Sequence, residues 1–418
     1  MTYDVLVVGN DAFGLSLGLA LARRGTQVAV VGARRPEPAV GLVETFGGLS
    51  DAHEPTKVAW SHKSAQLWPE WLNSLDSDVQ TADGSLVILN TMGLPDVDSA
   101  NFAAVRAALE QYGEPFEVVD PAEFDWLDPE PTARPLQALY LPNEFAVDTA
   151  ELMAGLERAF QAAGGVLIVE DIVQVGDGVE LHDGTSLTAG AVVLVNTAAP
   201  AAAETLQLVD SAEVSVVVDT EGDAIPPYLV RTPRRAFAAA TYAAPLRVGQ
   251  LQLGGTEVVA SEPVGAAPVG DVLHVLNAAA RQLRRDLGES SVQEIQLTNR
   301  PVAIDGLPLI GETALPGVWL LNSSDLSLAP LLADELATAL RGEEPTLDLT
   351  PFGPSRAPIS ALTRAGAVAA TVTQLLAGGY ESNWTTPVEW PALLEATLVT
   401  ELHRNPPEVT TALQARLR

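Results

Sequence analysis

Cysteine is absent from this chain, and lysine nearly so: Lys57 and Lys63 are the only two. Without thiols there is no disulfide, thiolate metal site, cysteine nucleophile or cysteine-linked cofactor. Five histidines (His53, His62, His182, His274, His403) lie scattered, none at the i, i+4 spacing of a helical zinc pair, so no metal site is expected. Cationic residues number 23 against 54 acidic ones, a net charge of -31. Such a chain cannot replace the counterions of a nucleic acid, and an anionic membrane surface repels it. The excess acid is best read as solubility. Long apolar runs are missing too. The nearest, "AGAVAATVTQLLAGG" at 365–379, is too short for a bilayer and contains Gln374. A strand begins by Tyr3 and leaves no room for a signal peptide. The expectation is a cytoplasmic protein with no nucleic-acid, membrane or metal partner.

What is present is a chain of 418 residues, 47% hydrophobic, enough for two or three domains. It opens on "DVLVVGNDAFGLSLGLALARRGTQVAVVGARR": a buried strand at 4–8, a helix from Phe13 to Arg24 and a strand from Gln27 to Val31. Gly14 and Gly18, four apart, let that helix approach a sheet closely. Helical patterns follow at 60–75 and 102–113, with strands at 84–90 and 137–142, the latter stopped by Pro142. Asp148 caps a helix through Ala163. Three strands follow, the middle one turning at Asp183-Gly184. Residues 213–260 are rich in short β patterns, 268–286 is helical, 317–322 a strand and 328–340 a helix. A proline-rich stretch at 344–358 reads as a linker, with helices at 359–378, 391–404 and 407–417.

The order of segments resembles the glycine oxidase and D-amino-acid oxidase family of FAD-dependent oxidoreductases, over about residues 3–345. The carriers are the opening βαβ unit, "GSLVIL" (84–89), "ALYLPNEFAVDTAELMAGL" (138–156), "VELHDGTSLTAGAVVL" (179–194), "GQLQLGGTE" (249–257) and, most specific, "NRPVAIDGLPLIGE" (299–312). The resemblance implies an α/β fold: a Rossmann-like FAD-binding domain (1–80, 145–205, 300–345) interleaved with an antiparallel-sheet substrate domain (81–144, 206–299). The remainder, 346–418, is a linker and a C-terminal helical extension. The implied chemistry is oxidation of a small amine or amino acid by hydride transfer to FAD, the protein supplying position and electrostatics.

Four departures fall along the cofactor's path. Gly9 and Gly14 of the G-x-G-x-x-G fingerprint are present, but the middle position is Asp11, a carboxylate where a diphosphate approaches the helix N-terminus. Gly32 stands where the family places an acid on the ribose. Thr197, in "VNTAAP", and Asp325, in "NSSDLSLAP", stand where glycines are usual. Arg34 and Arg35 follow the second strand, where a 2′-phosphate site would want cations; a solvated turn carrying two arginines is the simpler reading, and Arg34 is also placed to neutralise Asp11. Gly47 and Gly48 either allow backbone approach to the flavin ring or only make a turn.

On the substrate side, Arg300 matches the family's arginine that grips a substrate carboxylate, with an ordinary strand arginine as the competing reading. Tyr242 either lines the pocket or is a core tyrosine. His53 and His62 lie in the stretch that passes near the flavin in the family, where a lone histidine is more often a surface residue. Asp305 is most simply a turn former before Gly306. The apolar face of the helices in 359–418 packs on its own chain or docks a protein partner or second copy. Three functional readings follow: an FAD-dependent amine or amino-acid oxidase, a cofactor-free pseudo-oxidase serving as a binding or scaffold subunit, and, more distantly, a nicotinamide-nucleotide protein.

Overall fold

The computed structural model describes residues 2–49, 55–75, 78–92, 94–175, 178–197, 208–220, 225–234, 240–260, 263–303, 305–359, 364–381 and 389–404. It opens with β1 (Thr2–Asn10), α1 (Ala12–Arg23) and β2 (Val28–Arg34). β1 and β2 are parallel, as the unbroken apolar runs require. The tight helix–sheet approach is enforced by glycine. A Cβ on Gly18 would lie 2.7 Å from Val30 Cγ2, and one on Gly14 would lie 1.9 Å from the Gly9 carbonyl oxygen.

Next come β3 (Val40–Val43), α2 (Pro55–Asn73), β4 (Gln80–Asn90), α3 (Pro95–Tyr112), β5 (Glu117–Val119) and β6 (Pro135–Asp148). Pro142 does not stop β6. It sits where the register against β4 shifts, Leu141 facing Ser85 and Phe145 facing Asp83, an irregularity that tolerates a missing N–H. α4 (Thr149–Ala162) is capped by Asp148, whose Oδ1 accepts from the N–H groups of Ala150 at 2.9 Å and Glu151 at 3.2 Å. Asp148→Ala is expected to cost about 1–2 kcal/mol, read as a lower urea midpoint at unchanged slope.

The chain continues with β7 (Val166–Ile168), β8 (Ile172–Val175), β9 (Gly178–Leu181), β10 (Ser186–Val195), β11 (Leu208–Asp219), β12 (Leu229–Arg231), β13 (Tyr242–Arg247), β14 (Gln250–Gly254) and β15 (Val258–Ala260). It closes with α5 (Val269–Gln282), β16 (Ser291–Ala303), β17 (Leu309–Glu312), β18 (Val318–Asn322), α6 (Ala329–Leu340), α7 (Arg364–Glu381) and α8 (Trp390–Arg404). The helix expected at 407–417 lies outside the described residues.

Two sheets result. The first runs β17-β18-β10-β1-β2-β7, with β8 and β9 attached beside β10. Its two faces are both buried, as the near-continuous apolar strands demand. Val5, Val7, Val28 and Val30 meet α1, α2, α4 and α6, while Leu6, Val8, Ala29 and Val31 meet Val179 and Leu181 of the β9 ribbon. The second sheet runs β15-β11-β14-β13-β12-β4-β6-β3, with β16 on β11 and β5 on β6. Alternation along β4 sends Leu86 and Ile88 toward α5, and Val87 and Leu89 toward α3.

The proline-rich stretch at 344–358 is packed rather than slack. Leu347 and Phe352 join the core beneath α1, and the Phe352 ring lies 4.3 Å from that of Trp60. Arg356 closes a two-pronged ion pair with Asp305 at 2.5 and 2.9 Å. Beyond it, α7 and α8 pack on each other through Val368, Val372 and Leu398, and α7 leans on α5. Among the described residues no helix is long and apolar enough to cross a membrane.

Candidate cofactor and substrate cleft

The turn after β1 is occupied by its own side chain. Asp11 is the extended N-cap of α1; its Oδ1 accepts the Gly14 N–H at 2.8 Å and its Oδ2 accepts from Asn196 Nδ2 at 2.8 Å. Asn196 ends β10 in a left-handed conformation, φ 45°, which asparagine tolerates better than most residues. Its Oδ1 accepts the Ser323 N–H at 2.9 Å beyond β18, and its carbonyl accepts from Arg35. Side chains therefore lace together the ends of three parallel strands at the place where a helix N-terminus offers its unpaired N–H groups. Asp11 is 6% exposed. Burial, then the charge of Glu37, pushes its carboxyl up; the bonds from Gly14 and Asn196 and the charge of Arg35 pull it down, and the net direction is upward.

Gly32 has φ +137°, in the stretch of β2 where the register with β1 slips. A side chain there would be strained, so the backbone itself accounts for the missing acid. Arg34 turns away to an exposed ion pair with Glu157 of α4, while Arg35 reaches the strand ends. Gly9 keeps β1 against β10, since a Cβ there would lie 2.4 Å from the Val195 carbonyl oxygen. Thr197 follows Asn196, half-buried.

On the sheet side, Arg300 of β16 donates to Glu37 Oε2 at 2.8 Å. Burial draws its guanidinium down, but Glu37, Glu213 and Asp11 hold it above its usual range. Tyr242 of β13 is buried; its hydroxyl donates to Glu213 Oε1 at 3.2 Å and accepts from Gln252 Nε2 at 2.9 Å. Burial and then the neighbouring Glu213 push the phenol well up, and burial pushes the Glu213 carboxyl up. A Cβ on Gly254 would lie 2.2 Å from the Tyr242 ring, so glycine makes room for it.

Further ion pairs continue the row: Arg234 with Glu257 at 2.7 Å, Lys57 with Asp325 at 3.1 Å, and the buried Arg231 with Glu44. Burial draws the Arg231 guanidinium down to about 9. Asp325 also accepts the Ser327 N–H at 3.1 Å. A Cβ on Gly47 would lie 2.5 Å from Glu144 Oε2, and that buried carboxylate is pinned there because the N–H groups of Gly47 and Phe46 donate to its Oε1 at 2.6 and 2.8 Å. A Cβ on Gly48 would stand 3.1 Å from Glu44 Oε2.

His62 forms a triangle of rings with Phe46 and Tyr112, and its Nδ1 lies 3.3 Å from Glu114 Oε2. His53 lies outside the described residues. No three metal-ligating side chains stand together among the described residues.

Thus Asp11, Arg35 and Arg300 gather in one cluster of charges, joined by residues the sequence did not single out: Glu37, Asn196 and Glu213. Arg34 does not join them. Only Asn196 carries a local signal, an asparagine at the end of a parallel strand where a left-handed residue is needed.

A mostly parallel sheet with a glycine turn at the end of its central strand, beside a mostly antiparallel sheet bearing an arginine and a tyrosine, defines the class: a two-sheet mixed α/β fold. The particular family follows from comparison. Residues 4–339 match the model of the FAD dependent oxidoreductase (DAO) family, and the chain belongs to that family. It is 24% identical over 379 residues to a glycine oxidase of Geobacillus kaustophilus (strain HTA426), covering 85% of this chain and 97% of that one. The crystal structure of the Geobacillus kaustophilus glycine oxidase superposes with a TM-score of 0.71 at 22% identity, over 85% of this chain and 99% of that chain. That of iminodiacetate oxidase from Chelativorans sp. BNC1 superposes with a TM-score of 0.69 at 19% identity, over 85% and 100%.

Proposed function

We propose that this chain is a pseudo-oxidase of the FAD dependent family, one that does not seat the cofactor's diphosphate and serves as a binding or scaffold subunit. One observation carries the reading: both carboxylate oxygens of Asp11 are engaged inside the diphosphate seat, one on the N–H of Gly14, the other on Asn196. A diphosphate would have to evict a carboxylate from its own cap and then share the nest with it. Two more of the departed positions are taken up by the protein itself: Gly32 has φ +137°, and Asp325 is paired with Lys57. The residues present do not fit the group. The inherited chemistry, oxidation of a small amine or amino acid, is the reading that family membership favours. Arg300 and Tyr242 would then hold the substrate, but both are engaged by glutamates of the chain.

A partner-binding role is supported by the C-terminal helices, where Leu375, Leu393 and Val399 remain exposed outside the core that α7 and α8 share. The test is direct. The purified protein is expected to be colourless, and to remain so after dialysis against excess FAD and removal of the free cofactor. A yellow protein retaining flavin in a one-to-one ratio overturns the reading.

A further inference from the structure

The loop between β2 and β3, Arg35-Pro36-Glu37-Pro38-Ala39, is tied down at both ends. At its start Arg35 donates to the Asn196 carbonyl. At its finish Ala39 N–H donates to Gln296 Oε1 at 2.9 Å. The next residue, Val40, exchanges hydrogen bonds with the fully buried amide of Gln252 at 2.8 and 3.2 Å. The prolines on either side of Glu37 narrow the backbone further. This short strap delivers the Glu37 carboxylate to Arg300 at 2.8 Å, both side chains about three-quarters buried (27% and 23% exposed). Arg300, whose guanidinium has the geometry to grip an outside carboxylate, holds an inside one.

From this placement we infer that Glu37 is an internal carboxylate ligand, an autoinhibitory contact that keeps small carboxylates off Arg300. The inference rests on the reading that the chain's own acids fill the cleft, and extends it from the diphosphate seat to the substrate side. A tethered carboxylate competes at high effective concentration, because the strap has already lost its freedom. A free carboxylate must displace it without gaining a new kind of bond. Glu213, held by Tyr242, faces the same guanidinium and adds repulsion against any second anion. Removing the charge of Glu37 alone leaves Arg300 facing Glu213 and Asp11, without the acid that holds its guanidinium by a hydrogen bond, and frees that donor for an outside carboxylate.

The experiment is calorimetric titration of the full chain with glycine, and with acetate as a probe that has the carboxylate but no amine. Glu37→Gln is expected to bind both at least about tenfold more tightly than the wild type. Arg300→Met added to Glu37→Gln is expected to abolish the gain. Should that double variant fail to fold, Arg300→Lys in the same background keeps the charge, loses the two-pronged grip and is expected to remove most of the gain. Equal affinities of wild type and Glu37→Gln, or a gain that survives the change at Arg300, overturn the inference. FAD uptake is measured separately, so a flavin-bound protein would sink the pseudo-oxidase reading without deciding this one.

Discussion

Arg356→Ala is expected to destabilise the chain by about 3–5 kcal/mol, the cost of leaving a buried carboxylate without its cation. The Asp305 side chain is fully buried and that of Arg356 is 7% exposed. Besides the two-pronged bond, the carboxylate accepts the N–H groups of Ile359 at 2.8 Å and Leu307 at 3.2 Å. One acid therefore fixes the turn before β17 and the end of the stretch that leads to α7. Burial alone would push this carboxyl up, but Arg356 and the two N–H groups hold it below its ordinary value of 3.8. A carboxyl with a lowered folded-state pKa contributes stability that is present above the unfolded value and lost as pH falls through the folded one. The wild type should thus lose this contribution below about pH 4, and Asp305→Asn should show a shallower acid decline. Chemical denaturation across pH measures both. The double change Asp305→Leu with Arg356→Met should cost less than the sum of the singles, since it leaves no orphaned charge. Additive costs would show that the pair is not an energetic unit.

The same residues mark how far the sequence could be read. The opening βαβ unit was legible because apolar runs, glycine spacing and helix period all agree, and β1, α1 and β2 lie where they should. Asp148 announced its helix by its cap chemistry. Pro142 misled, because a proline inside a strand argues for an end unless a register shift is foreseen, and such shifts have no signature in one sequence. The tail was opaque for a different reason. Its anchor joins Asp305 to Arg356, 51 positions away, and pairing at that distance follows only from the fold. The cleft divides likewise. Asp11 was visible as a misplaced acid in a fingerprint, and Arg300 through its flanking motif. Their partners Asn196 and Glu37 lie 185 and 263 positions away from them, and no pattern in one sequence says which distant residue such a side chain will meet.

Asp11→Gly is expected to raise the affinity for FAD, or for ADP as a simpler diphosphate probe, by up to about three decades. The figure follows from two like charges roughly 4 Å apart at an effective dielectric near 20, which repel by on the order of 4 kcal/mol. Exchanging an aspartate for glycine at an N-cap costs only about a few tenths of a kcal/mol, so the variant should fold. It frees the Gly14 N–H and Asn196 Nδ2 toward the ligand. Adding Gly32→Glu to restore a ribose acid is a poor companion, because φ +137° at that position strains any side chain. A pH signature separates charge from shape. The carboxyl of Asp11 is raised by burial and by Glu37, and Arg35 opposes the shift. A bound diphosphate would raise it further, so binding to the wild type must take up a proton. Wild-type affinity for ADP should therefore increase as pH falls toward the raised value by more than in Asp11→Asn, which is neutral at every pH, equal in size, and should show only the dependence set by the nucleotide's own phosphate ionisation. Fluorescence titration of FAD and calorimetry of ADP at several pH values read both effects. If Asp11→Gly gains affinity while Asp11→Asn does not, bulk rather than charge closes the seat; if neither gains, the closure lies with the strand ends that Asn196 and Ser323 hold together.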